Sequence, residues 1–138
     1  MKTFLDTNLI VYANDSRVPE KQARAIEVVT RAMREGTGVI STQVMQEYAV
    51  VAGSKLHQNP DTILRQLILL ETLEVVQITP ALIRRGLELK FRYQIDYWDA
   101  SILAAAEHAQ CSRLLTEDLN PGQLYATLRI ENPFVPAG

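Results

Sequence analysis

At 138 residues, 47% hydrophobic and 22% charged, the chain has the size and balance of one globular domain and not of a disordered polar segment. Its net charge of −2 excludes a protein that coats nucleic acid through bulk positive charge; any grip on a phosphate backbone must come from local basic clusters, a bound cation, or both. The single cysteine, Cys111, excludes an internal disulfide, and Met1-Lys2 leads into no apolar leader or bilayer-length run, so the expectation is one cytoplasmic domain over residues 1–138 with no membrane contact.

Short extended runs alternate with helical patterns, which predicts an α/β domain with a mainly parallel sheet. The first strand candidate is Thr3–Leu5, ending in Asp6. Glu20 to Arg34 carries Ala25, Ile26, Val29, Ala32 and Met33 at helical spacing, with Gly36 as its stop. Gly38–Ile40 reads as a second strand, after which Ser41 or Thr42 caps a helix to about Ser54. Asn59-Pro60 and Thr79-Pro80 each place a capping side chain before a proline at the first helical position, opening helices over about Pro60–Leu73 and Pro80–Tyr93. Glu74–Ile78 lies between them as a strand. Asp96 caps a helix to about Gln110, and Arg113–Leu115 and Leu128–Glu131 complete a set of five strands.

Carboxylates usually lie on solvated faces, so an acid is informative where its surroundings are apolar. Four acids meet that test. Asp6 ends the first strand, where parallel sheets bind ligands beyond their carboxyl edge, although the same position suits a helix cap. The neighbouring Asn8 either orients a ligand water or serves the turn. Glu47 shares a helical stripe with Val44, Tyr48 and Val51; it needs a cation or a basic partner to replace lost hydration. Asp99 stands one turn before Ile102, Leu103 and Ala106, at the third position of the helix that Asp96 caps. Asp118 follows Leu115-Thr116-Glu117 and either faces the same edge or turns the chain before Asn120-Pro121. Glu117 and Asp118 point in different directions, so only one of them need face a cleft. Clustered carboxylates repel unless something cationic holds them, and hard oxygen ligands select Mg²⁺ or Mn²⁺. His57 and His108, read as surface helix residues, share no ligand spacing, and Cys111 has no thiolate partner.

Phe4-Leu5-Asp6-Thr7-Asn8, Gln46-Glu47, Tyr97-Trp98-Asp99-Ala100, Leu115-Thr116-Glu117-Asp118 and the closing Asn132-Pro133-Phe134 together resemble PIN-domain proteins, specifically the VapC-type toxins of bacterial toxin–antitoxin pairs. The resemblance spans the chain in order. It implies a three-layer α/β/α domain with a central, mainly parallel five-stranded sheet and an acidic pocket of Asp6, Glu47, Asp99 and Asp118. It also implies Asp6, Asp99 and Asp118 as metal ligands with Thr116 a polar neighbour, Mg²⁺- or Mn²⁺-dependent cleavage of RNA, a homodimer, and inhibition by a cognate antitoxin.

The mechanism expected is polarisation of a phosphodiester by the held ion, with Glu47 orienting or deprotonating the attacking water. Arg84, Arg85, Lys90 and Arg92 form the densest basic stretch and serve either phosphates or a solvated face. Two rival classes remain. A Mg²⁺-dependent phospho-acceptor domain wants paired acids early and a late lysine, whereas Asp6 has no acidic neighbour and no lysine follows Lys90. A catalytically silent module of the same fold would keep the shape to bind a protein. The helix through Ile63, Leu64, Leu67, Ile68 and Leu70 carries more apolar residues than one core face requires, which suits a partner or a deep core.

Overall fold

The computed structural model describes residues 1–135. In chain order these form β1 (Thr3–Leu5), α1 (Thr7–Ala13), α2 (Pro19–Glu35), β2 (Gly38–Ser41), α3 (Thr42–Ser54), α4 (Pro60–Leu70), β3 (Glu74–Val76), α5 (Pro80–Tyr93), α6 (Tyr97–His108), β4 (Arg113–Leu115), β5 (Leu124–Tyr125) and β6 (Leu128–Glu131). The sheet runs β3-β2-β1-β4-β6-β5. All neighbouring strands pair in parallel except β5, which lies antiparallel on β6.

That edge strand corrects the expected count: the sheet has six strands, not five. β5 is a two-residue pairing of Leu124 with Arg129 and Tyr125 with Leu128, joined by a tight turn in which Ala126 takes a φ of 54°. Two residues are too few to show an alternation, so the pattern of the sequence carries no sign of it. Two smaller corrections are β3, which stops at Val76, and His57, which lies in the loop after α3 with a φ of 53° and not on a helix.

The caps explain where several helices begin. Asn59 and Thr79 accept hydrogen bonds from the Thr62 and Leu82 amides, and each is followed by proline. Ser41 accepts from Val44, and Asp96 from Trp98. α2 ends at Gly36, whose φ of 68° is left-handed and costs glycine little. Phe4, Val39, Ile40, Leu114 and Ile130 form the strand contribution to a core in which they are all but fully buried. Ala100 and Ala104–Ala106 on α6 are buried with them; their small side chains let α5 pack closely, and Gly86 of α5 lies against Tyr97 and Ser101.

β1 is the pivot of the sheet. Its crossover leads to β2 on one side, and the chain returns to its other side as β4. Between these strands the connections diverge, which makes this the switch point of the sheet, where parallel α/β folds place a ligand crevice beyond the strands' carboxyl ends. Asp6 and Thr116 are the residues that immediately follow β1 and β4.

Candidate active site

Asp6 is 6% exposed, and the structure shows it in the capping role that its position allowed. It caps α1, with one carboxylate oxygen accepting from the Thr7 amide at 2.7 Å. Its other oxygen accepts from the buried Thr116 hydroxyl, also at 2.7 Å. Thr116 in turn accepts from the Asp118 amide at 3.0 Å, so a single hydroxyl ties the ends of β1 and β4 together. The Asn8 side-chain amide donates to Asp118 at 3.2 Å and approaches Thr116 at 3.4 Å.

Glu47, half-buried on α3, accepts from the Thr7 hydroxyl at 2.7 Å. Thr7 is therefore a site residue that the sequence reading passed over. It follows Asp6 directly, and helical geometry turns its side chain toward α3. Asp99 lies half-buried in the first turn of α6. Asp118 is exposed, and Glu117 points away from it toward α1 and α2. The two do point in different directions.

The acids influence one another electrostatically. Asp6 is pushed up from the ordinary 3.8 to about 7, chiefly by burial. Its hydrogen bonds from Thr116 and Thr7 oppose that rise, and the nearby charges of Asp118 and Glu47 add to it. Asp99 is also raised, by burial first and then by Asp118, Asp96 and Glu47. Asp118 and Glu47 are thus common neighbours of both. No ion pair engages any of the four among the described residues. The cluster carries negative charge that no ion pair among the described residues balances.

Its spacing is loose: among the described residues, no three His, Cys, Asp or Glu side chains are arranged to enclose a metal ion on their own. The donors nevertheless suit a hard divalent ion. They are carboxylate oxygens, without His or Cys, and the Asn8 side-chain carbonyl is buried beside them with no hydrogen-bond partner. Magnesium commonly keeps several waters and takes only one or two carboxylates, so a closed protein cage is not required. Asn8 would accept from a water of such a shell through that orphaned oxygen.

Arg85 and the arginines of the groove beside α2 make no ion pair with these acids. Arg85 is held by Glu107 at 2.8 and 3.0 Å and by Glu88 at 3.2 Å, tying α5 to α6. A groove of about 650 Å³ between α2 and the β4–β6 face holds Arg24, Arg31, Arg113 and Arg129. Three of these arginines are paired with Glu27, Glu35 and Glu131, and none of the four clustered acids lines the groove.

Fold and crevice together define an α/β domain with an acidic site at the switch point of a parallel sheet. The sequence matches the PIN domain model over residues 3–125, and the chain belongs to that family. No protein of curated function matches the sequence. Among solved structures, the chain is similar in fold to a toxin–antitoxin complex from Klebsiella pneumoniae, at 22% identity and a TM-score of 0.68, covering 96% of this chain and 98% of that one. It is likewise similar to VapBC2 from Rickettsia felis bound to a promoter DNA fragment, at 20% identity and a TM-score of 0.69, with the same coverages of 96% and 98%. A third is the sarcin–ricin-loop-cleaving toxin VapC20 of Mycobacterium tuberculosis, at 15% identity and a TM-score of 0.62, covering 82% and 87%. No helix among the described residues is long and apolar enough to cross a membrane.

Proposed function

We propose that this PIN domain is a cytoplasmic, divalent-metal-dependent endoribonuclease, the toxin of a toxin–antitoxin pair, with Mg²⁺ or Mn²⁺ as its ion. The observation that carries the reading is that the charges of Glu47 and Asp118 act on both Asp6 and Asp99, with none of the four acids in an ion pair among the described residues. Asp6, Asp99 and Asp118 would hold the ion. When bound, it supplies Lewis acidity toward the scissile phosphate and eases deprotonation of a water. Asp6 is held ready for that role by Thr116 and Thr7. Glu47, fixed by the Thr7 hydroxyl, orients the attacking water and accepts its proton. Asn8 positions Asp118 and offers its free carbonyl to a water or a ribose hydroxyl.

The toxin role is supported by the fold likeness to toxin–antitoxin complexes. An acidic crevice also accepts an arginine from another chain as readily as a metal, which provides a means of inhibition by a cognate antitoxin. Exposed apolar side chains support assembly with such a partner and as a homodimer. Val50, Leu64, Ile68 and Leu69 project from α3 and α4, and Ile83, Leu87 and Phe91 follow one another along α5 at intervals of four. The loose spacing of the acids favours one second reading, a catalytically silent module of this fold.

Purified protein incubated with a mixed RNA pool separates the two. Cleavage that needs added Mg²⁺ or Mn²⁺, stops with EDTA, and is lost in folded Asp6→Asn and Asp99→Asn variants is expected. Calorimetry showing no divalent-ion binding, together with intact RNA, would establish the silent module instead.

A further inference from the structure

Beside the acid cluster lies a second constellation that takes no part in the chemistry above. Glu117 sits between Thr116 and Asp118, yet its side chain leaves the crevice. One of its oxygens accepts from the Tyr12 hydroxyl of α1 at 2.8 Å, and the other is ion-paired with Lys21 of α2. Lys21 also donates to the Tyr12 oxygen at 3.3 Å. Its ammonium stands 4.7 Å from the Tyr12 ring centre and 5.4 Å from that of Phe134. The two rings meet edge to face at 5.0 Å. The adjoining helices α1 and α2, the turn after β4 and Phe134 near the chain's end are therefore joined at one side chain.

We infer that Lys21 is a positioning residue for the acid cluster, acting through Glu117 to fix the turn that carries Thr116 and Asp118. Two physical effects lead to this. The turn after β4 has a single hydroxyl, that of Thr116, linking it to Asp6 and to the Asp118 amide. Anchoring Glu117 from the opposite side leaves the turn one conformation, in which Asp118 faces Asn8 and the crevice. In addition, Lys21 neutralises a carboxylate one residue from Asp118. Released, Glu117 would be a rival oxygen ligand free to draw the turn, and Asp118 with it, away from its place beside Asn8. The rings of Tyr12 and Phe134 attract the ammonium and orient it. The anchoring role holds whether or not the acids bind metal; its consequence for the ion rests on the reading in the preceding subsection.

The test compares wild type with Lys21→Met, Lys21→Arg, Glu117→Gln and the Lys21→Met/Glu117→Gln pair. Each is first checked for native melting and near-ultraviolet dichroism. Amide exchange by NMR, without metal or RNA, reads the turn directly. The Asp118 amide of Lys21→Met is expected to exchange about 10-fold faster or more, with the amides of α5 unchanged. Mn²⁺ titrated calorimetrically, without RNA, is expected to bind about 10–100-fold more weakly, the range found for outer-shell partners of metal ligands. Lys21→Arg should stay near wild type, and the double variant should be no worse than Lys21→Met, since both changes break one device.

Unchanged exchange at Asp118 in folded Lys21→Met would overturn the inference. Should that variant raise KM for RNA and reduce the salt dependence by about one ion, with exchange and Mn²⁺ affinity intact, Lys21 would be a phosphate contact instead. If the wild type binds no Mn²⁺, the metal reading fails while the exchange measurement still decides the anchoring role. Where Lys21→Met does not fold, Glu117→Gln carries the test, with a smaller effect of the same sign.

Discussion

Lowering the pH of the metal-free protein from about 7 to about 5 is expected to stabilise it, and Asp6 is the cause. Folding raises this carboxyl from its ordinary 3.8 to about 7, mainly by removing it from water. A group whose folded value is raised contributes stability that is fully present below the unfolded value and lost as pH rises through the folded one. Each pH unit between the two values corresponds to about 1.4 kcal/mol, so about two units remove about 3 kcal/mol. Asp6 is too buried for solvent screening to reduce this much. A shift in Tm on the order of 10 °C should follow. Asp15 and Glu107 work in the opposite sense: arginine contacts lower them, and their stabilising effect fades only below their ordinary values of 3.8 and 4.5, outside this window. The assay is urea or thermal unfolding in EDTA across this range, for wild type and Asp6→Asn. The isosteric amide should remove most of the slope, and saturating Mn²⁺ should flatten it in the wild type, because the ion favours the ionised carboxylate. A slope identical in the two proteins would refute the assignment to Asp6.

Thr116→Val removes the donor that holds Asp6 down and leaves the Asp118 amide without its acceptor, so we expect a loss of about 1–3 kcal/mol in denaturant titrations. The acid limb of the pH–rate profile for RNA cleavage should also move to higher pH, since the lost hydrogen bond favoured the charged form of Asp6. Gly38→Ala would bring a methyl group to 2.6 Å from Leu73 and 2.9 Å from Ala32, where β2 meets α2 and the residue before β3. It should destabilise by about 1–3 kcal/mol, measured by chemical unfolding, without altering divalent-ion affinity. Cys111 is buried and its thiol is pushed up to about 12 by that burial, so it should resist Ellman's reagent in the native state and react at once in urea.

Much of the scaffold was legible because each part rests on a local rule. The Asn59-Pro60 and Thr79-Pro80 starts depend on one cap and one ring, and Pro80–Tyr93 appears with the bounds its pattern suggested. β4 and β6 likewise occupy Arg113–Leu115 and Leu128–Glu131. α4 stops at Leu70, short of Leu73, because its last residues fold into a turn that leads into β3. Asp6, Glu47, Asp99 and Asp118 stood out because they interrupt apolar stretches, and that signal needs no knowledge of the fold. What links them was legible only at Thr116, which the family resemblance implied as a polar neighbour and which does bond Asp6. Thr116 meets Asp6 across 110 positions, Thr7 meets Glu47 across 40, and Lys21 meets Glu117 across 96. A threonine or a lysine in an ordinary helix or turn carries no local sign of such a partner. The acids are marked by the environment of their own segments; their supports exist only once β1, β4, α2 and α3 are brought together.

The most direct measurement is a crystal grown or soaked with Mn²⁺, with diffraction recorded at a wavelength that gives the manganese an anomalous signal. The account requires a peak in the crevice between β1 and β4, with carboxylate oxygens of Asp6 and Asp99 or Asp118 roughly 2 Å away. An empty crevice at saturating Mn²⁺, or a peak held only by other residues, would contradict it.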